Sequence, residues 1–306
     1  MRLVSFRGAG PQPGIGAVVG ARVVDLSATI AAIRFPEKRA ADLAVRGIAL
    51  PSGGMLRLLY AGSEVMREIA QRVATLAKEA QHRPLAGLSL LAPIPRPGKI
   101  VAVGRNYADH AKETGVDPFE KPRIIAKLPS SVVGPAATVR RPKAVAKMDF
   151  EAELAVVIGE FASDVPRERA LDFVAGYTAL NDLSAREFQF DVSPPQTTFA
   201  KSMDGFCPMG PWLVTKDEIP DPQALDLSCH VNGETMQRGS TADMIFSVDR
   251  LIEHVTQYMT LEPGDVIATG TPAGVGAFRS PPLWLKPGDR VRVEISRVGV
   301  LENAIA

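Results

Sequence analysis

Glu151 and Glu153 stand one residue apart in Asp149-Phe150-Glu151-Ala152-Glu153-Leu154-Ala155-Val156-Val157-Ile158-Gly159, where they open an apolar run that reads as a buried strand. Side chains alternate faces along a strand, so the two carboxylates point the same way. Like charges held side by side repel and are costly to desolvate, so a fold that places two there supplies a cation or a proton to relieve them. A third acid, Asp182, follows the apolar segment Phe173 to Leu180. Three carboxylates converging at the ends of two strands would suit a hard divalent metal with oxygen ligands, Mg2+ or Mn2+. On spacing alone, a solvated strand face beside a basic partner fits equally well.

Other polar clusters fall where the flanking pattern predicts strand ends. In Gly104-Arg105-Asn106-Tyr107-Ala108-Asp109-His110-Ala111-Lys112-Glu113, His110 and Glu113 are three apart in a short helix and share a face. The carboxylate can orient the imidazole as a general base for water, although an exposed surface pair fits the same spacing. In Asn181-Asp182-Leu183-Ser184-Ala185-Arg186-Glu187-Phe188-Gln189, Gln189 and Arg186 are placed to bind an oxyanion or to neutralise neighbouring acids, with Arg186 read as a structural partner. Lys201 offers a cation for a substrate carboxylate or enolate. The turn Thr269-Gly270-Thr271-Pro272-Ala273-Gly274-Val275-Gly276 lets backbone N–H groups and Thr271 approach a ligand, but lacks the spacing of a nucleotide P-loop. Cys207 and Cys229 show neither zinc-type spacing nor a disulfide framework and read as buried small hydrophobes.

These residues need strands to hold them. Ile100 to Val103, Glu153 to Ile158, Phe173 to Leu180, Trp212 to Thr215, Leu227 to Val231, Asp265 to Thr269 and Arg290 to Ile295 are the expected strands of a mostly β unit. Helices are expected at Ala108 to Thr114, Arg167 to Asp172 and Ser247 to Tyr258. Two copies of Leu-x-Pro-Gly-Asp, at Leu261 to Asp265 and Leu285 to Asp289, read as turns that launch strands. Ahead of this unit, Arg2 to Phe6 is strand-like, Gly16 to Leu26 resembles a hairpin arm, and Met55 to Ala80 reads as one helix. Leu56, Leu59, Val65, Ile69, Val73 and Leu76 line one face of it. The three prolines of Leu91 to Gly98 mark a connector, so the expected architecture is α+β, mostly β: a small α+β domain at 1–90 and a catalytic domain at 91–306.

With 35 basic and 34 acidic residues among 306, the formal net charge of +1 gives no electrostatic footprint for nucleic acid or an anionic membrane. Small molecules are the expected partners. The first twenty residues lack the continuous apolar core of a signal peptide and no segment approaches a membrane span, so the expected location is cytoplasmic.

Taken together, GRNYADHAKE, MDFEAELAVVIG, NDLSAREFQF, AKSMDGFCPMGP and LEPGDVIATGTPAGVG resemble the fumarylacetoacetate hydrolase family, in that family's order, over about two thirds of the chain. The resemblance implies a β-roll-like catalytic domain, a homodimer, and one Mg2+ or Mn2+ ion on Glu151, Glu153 and Asp182. It also implies a catalytic dyad at His110 and Glu113 and substrate contacts at Gln189, Lys201 and Thr271, with Arg105 and Tyr107 counted among them. The first 90 residues resemble the extra small domain of longer family members. Two departures stand out. Val103 replaces an additional acidic metal ligand of the fumarylacetoacetate-cleaving members, which points to the acylpyruvate-cleaving and decarboxylating branches, and Arg123-Ile124-Ile125-Ala126 lacks the aromatic pair often found before Lys127. The expected reaction is hydrolytic carbon–carbon cleavage of an acylpyruvate or other 2-oxo acid. In it, water activated by His110 and Glu113 attacks the distal carbonyl, and Lys201 stabilises the metal-bound pyruvate enolate that departs. Oxaloacetate decarboxylation and 2-hydroxydienoate isomerisation share the enolate and stand as alternatives. An inactive, family-shaped binding protein is the alternative outside enzymology, and the intact acids and dyad argue against it.

Overall fold

The computed structural model describes residues 1–8, 12–79, 82–115 and 117–306. The strand Ala152–Ile158 is buried along its whole length and pairs antiparallel with Val174–Asn181 on one side and Val266–Ala268 on the other. These strands lie within a large sheet whose main path runs His82–Pro84, Arg22–Asp25, Gly14–Val19, Arg2–Phe6, Cys207–Thr215, Val174–Asn181, Ala152–Ile158, Val266–Ala268, Ile100–Gly104 and Arg123–Lys127. A second sheet orders Glu234–Ser240, Asp226–Val231, Arg290–Ile295, Gly299–Ile305 and Thr138–Val139.

Both faces of Ala152–Ile158 are covered, which is why its sequence is an apolar run and not an alternation. Leu154, Val156 and Ile158 enter a core shared with Leu227, Val293 and Leu301 of the second sheet. Ala155 and Val157 enter another, shared with Leu58, Leu59 and Ile69 of the amino-terminal helices. The result is a mixed, strand-rich fold. Among the described residues, no helix is long and apolar enough to cross a membrane.

Arg2–Phe6 pairs antiparallel with Cys207–Thr215, so hydrogen bonding crosses the proline-rich connector and the first 90 residues extend the same sheet. The helix expected over Met55 to Ala80 is two helices, Gly54–Ala61 and Ser63–Glu79, and Ala80 lies outside the described residues. Gly62 separates them at φ 99°, a left-handed conformation that glycine adopts freely, and Glu160 Oε1 accepts the Ser63 N–H at 2.7 Å. The expected face survives the break, since Leu56, Leu59, Val65, Ile69, Val73 and Leu76 all pack on one core. Gly16 to Leu26 spans parts of both arms of a hairpin, Gly14–Val19 and Arg22–Asp25. Arg167 to Asp172 forms a 3-10 helix, Arg167–Phe173, and not an α-helix.

Both Leu-x-Pro-Gly-Asp segments turn as expected, with Gly264 and Gly288 at positive φ. In each the aspartate closes the turn: Asp265 Oδ2 accepts the Glu262 N–H at 2.7 Å, and Asp289 Oδ2 accepts the Lys286 N–H at 2.8 Å. The strands Arg123–Lys127, Glu234–Ser240 and Gly299–Ile305 have no counterpart among the expected ones.

Candidate active site and metal centre

Strand alternation puts Glu153 on the same face as Ala155 and Val157, beyond the end of their apolar core. Glu151 precedes the strand and is locked to its neighbour: its N–H donates to Asn181 Oδ1 at 3.1 Å, and the Asp182 N–H donates to the Glu151 carbonyl at 2.9 Å. Glu151, Glu153 and Asp182 are all buried, and one oxygen from each lies within 4.8 Å of the others.

Two lysines meet this negative charge. Lys201 Nζ donates to Glu151 Oε2 at 2.6 Å, Asp182 Oδ2 at 2.7 Å and Ser184 Oγ at 2.8 Å. Lys127 Nζ donates to Asp182 Oδ1 at 2.7 Å, to the Phe206 carbonyl at 2.9 Å and to the Lys201 carbonyl. Arg186 faces Glu151 Oε1 at 2.7 Å while its Nε donates to Asp149 Oδ2 at 2.8 Å, as its structural reading expected. Burial pushes the Glu151 carboxyl up, but Lys201, Arg186 and His110 together outweigh it and hold it at about 2. Glu153 goes the other way. Burial, then Asp182 and Glu151, drive its pKa well above the ordinary carboxylate range. Its one hydrogen bond is from the Gly270 N–H, at 2.9 Å, and among the described residues no cation lies within salt-bridge distance of it. An under-neutralised trio of hard oxygen donors fits a divalent ion such as Mg2+ or Mn2+.

His110 and Glu113 lie on the helix Ala108–Glu113. His110 Nδ1 sits 2.9 Å from Glu113 Oε2, and Glu113 Oε1 accepts the Gly274 N–H at 2.9 Å, so the acid ties the imidazole to the glycine-rich turn. A neutral ring that donates Nδ1–H to Glu113 keeps Nε2 as its basic nitrogen. Asn106 fixes the approach to this helix: its Nδ2 donates to the Phe246 and Thr269 carbonyls, and its Oδ1 accepts the Phe246 N–H.

A cavity of about 350 Å³ joins the parts. His110, the three acids, Lys201, Gln189, Thr271 and Arg105 all line it. Tyr107 does not. Its side chain is fully buried in the core, its hydroxyl has no hydrogen-bond partner among the described residues, and burial followed by Glu153 and Asp109 raises its pKa. Tyr107, expected among the substrate contacts, packs instead within the core, where its backbone makes an isolated bridge to Met244. Cys207 lies inside a strand with its thiol pushed up to about 12 by burial, an inert position.

Residues 99–306 match the family described as fumarylacetoacetate (FAA) hydrolase C-terminal. The chain belongs to the fumarylacetoacetate hydrolase family. Oxaloacetate tautomerase FAHD2A, mitochondrial, from Homo sapiens is 41% identical over 308 residues, covering 100% of this chain and 91% of that protein. Maleylpyruvate hydrolase from Sphingobium sp. SYK-6, solved in complex with manganese (II) ion and pyruvate, superposes with a TM-score of 0.78 at 30% identity, covering 100% of this chain and 99% of that one. A 5-carboxymethyl-2-hydroxymuconate delta-isomerase from Mycobacterium smegmatis gives a TM-score of 0.73 at 32% identity, with the same coverage.

Within this family site, three supporting residues escaped the sequence reading. Lys127 occupies an inward position of its edge strand, where Ile125 and Lys127 are buried and Ala126 is exposed, an alternation that could have flagged it. Gln237 joins the second sheet to the site, accepting the Ala152 N–H at 3.0 Å and donating to Thr271 Oγ1 at 2.8 Å. Asp149 receives the Gly276 and Ala277 N–H groups as well as Arg186.

Proposed function

We propose that this chain is a divalent-metal-dependent enzyme that interconverts the keto and enol forms of a 2-oxo acid, oxaloacetate being the first candidate. The observation that carries the reading is the convergence of a Glu113-oriented imidazole and three buried carboxylates on one cavity. The full-length similarity to a protein named oxaloacetate tautomerase supports it. Glu151, Glu153 and Asp182 would hold the metal, and a bound divalent ion would polarise the 2-oxo group as a Lewis acid. His110 takes a proton from C3 of the keto form while Glu113 stabilises the imidazolium, and the same proton returns to the 2-oxygen to give the enol. Lys201 places positive charge at the acid end of the cavity, where negative charge develops on that oxygen. Thr271, fixed by Gln237, lines the wall beside it.

Hydrolytic cleavage of an acylpyruvate is the second reading, supported by the likeness to maleylpyruvate hydrolase. There His110 would take its proton from a water that attacks the distal carbonyl, releasing a carboxylic acid and the pyruvate enolate. The two are separated by following oxaloacetate enol absorbance and C3 proton exchange beside an acylpyruvate panel and carbon dioxide release, with products identified by mass. Mn-loaded protein that leaves the oxaloacetate enol relaxing at its spontaneous rate would sink the tautomerase reading. A homodimer is the assembly that the family resemblance implies. Light scattering tests that part, and a monomer at micromolar concentration would count against it.

A further inference from the structure

Beyond the acids, the cavity carries positive charge that the proposed proton transfer does not use. Arg105 and Arg123 both line it, and among the described residues neither guanidinium has a hydrogen-bond partner or a carboxylate within salt-bridge distance. Most other cationic groups around the site are matched: Lys201 and Lys127 bind the acids, and Arg186 binds Asp149 and Glu151.

The backbone builds this pair. Arg123 lies opposite Gly104 in the register of two adjacent strands, and a Cβ added at Gly104 would stand 3.5 Å from Arg123 Cδ and 3.8 Å from Arg123 Nη1. The Arg123 side chain thus lies alongside Gly104, across the strand end. Arg105 follows at φ 55°, a left-handed conformation that is strained for a non-glycine residue and persists only where neighbours impose it. Next to it Asn106 is pinned by three buried hydrogen bonds, and Phe119 backs the Arg105 guanidinium at 5.3 Å from its ring centre. Burial first, then the charge of Arg123, lowers the pKa of Arg105, so the two cations are close enough to feel one another. Their strands lie two and three places from Ala152–Ile158 in the sheet, roughly 10 and 14 Å at ordinary strand spacing. A small ligand anchored at the acids would meet them with its far end.

We propose that Arg105 and Arg123 form a clamp for a second carboxylate, making the enzyme selective for dicarboxylic over monocarboxylic 2-oxo acids. The clamp rests on the 2-oxo-acid reading above. A carboxylate would relieve the repulsion of two unmatched guanidiniums and accept their paired N–H donors. Arg105 was expected at the substrate from family resemblance; the partnership with Arg123 and the second carboxylate are the new assignments.

Deuterium exchange at C3, followed by NMR on Mn-loaded protein, tests this with oxaloacetate and the monocarboxylic 2-oxobutyrate. Wild type should favour oxaloacetate, and Arg123→Met or Arg105→Met should lower the ratio of kcat/KM for oxaloacetate over 2-oxobutyrate by about 10- to 100-fold, mainly through KM. Arg123→Lys, which keeps the charge but not the fork, should retain part of the preference and keeps the test open if the methionine variants fold poorly. Calorimetry adds a readout without turnover: malate should lose affinity in Arg123→Met relative to oxalate, which carries the near half of the ligand alone. An unchanged ratio in both assays overturns the clamp. A wild-type enzyme that exchanges both substrates without preference also overturns the clamp while leaving the 2-oxo-acid reading standing, whereas exchange of neither substrate overturns that reading.

Discussion

The strand Ala152–Ile158 meets buried carboxylates at both of its ends, and the two ends treat them differently. At the carboxyl end, Asp265 is a single acid with dedicated donors: its Oδ1 accepts the Lys99 N–H at 2.9 Å, and its Oδ2 accepts the Glu262 N–H at 2.7 Å and pairs with Lys99 Nζ at 2.5 Å. At the amino end, Glu151, Glu153 and Asp182 crowd together, and Glu153 holds only one N–H. Burial raises the pKa of both Asp265 and Glu153, but only at Glu153 do neighbouring carboxylates add to it. A buried acid with its own donors completes a turn. Buried acids that repel one another store a demand for a cation, and such demand marks sites of function.

The largest test of this contrast is Glu153→Gln, which removes one of the crowded charges without changing shape. Mn2+ affinity measured by calorimetry should fall by at least about 100-fold, more than the loss of a merely supporting contact. The metal-free variant should melt no lower than metal-free wild type, since repulsion is relieved; a large drop in melting temperature together with intact Mn2+ binding would reverse the assignment. His110→Ala should slow oxaloacetate exchange by about 10²- to 10⁴-fold while leaving Mn2+ affinity intact. Equal losses in both would make the histidine part of the metal site instead.

At the other end, Asp265→Asn turns an acceptor toward the Glu262 or Lys99 N–H into a donor. Denaturant unfolding should show a loss of about 1–3 kcal/mol, with Mn2+ binding and activity retained at 25 °C. The smallest effect belongs to Asp25, far from both ends, where Ser27 and Arg83 outweigh burial and lower its pKa. A lowered folded pKa gives stability that is present above the unfolded value and is lost as pH falls through the folded one. Asp25→Asn should cost at most about 1 kcal/mol at neutral pH, as expected of a partly exposed pair, and flatten that acid-side decline.

Much of the site was legible because its acids and dyad sit within short sequence spans. The apolar run after Glu153 reports a strand covered on both faces, and the three-residue spacing of His110 and Glu113 reports a shared helical face. Residues brought in from elsewhere were not legible. Glu234-Thr235-Met236-Gln237-Arg238-Gly239-Ser240 has no clean alternation, since it forms an edge strand, so Gln237 gave no local sign of reaching Thr271. The division of the amino-terminal helix was hidden for a similar reason. A glycine inside a helix costs only about 1 kcal/mol, and what ends the first helix at Gly62 is helped by Glu160, almost a hundred positions away. Tyr107 was misplaced because membership of a polar stretch says nothing about which way a ring turns.

The pairing of Arg2–Phe6 with Cys207–Thr215 sets a timetable for the growing chain. Leu3 faces Leu213, so the amino-terminal hairpin leaves the ribosome with the Arg2–Leu3 half of one edge open until a partner 210 positions later has been made, whereas Ser5 and Phe6 on that edge pair sooner, with Leu91 and Leu90. At about 5–20 residues per second, that wait lasts roughly 10–40 s. Through it, Leu3 and Val4, which end fully buried, must be kept from pairing with the edges of other nascent chains.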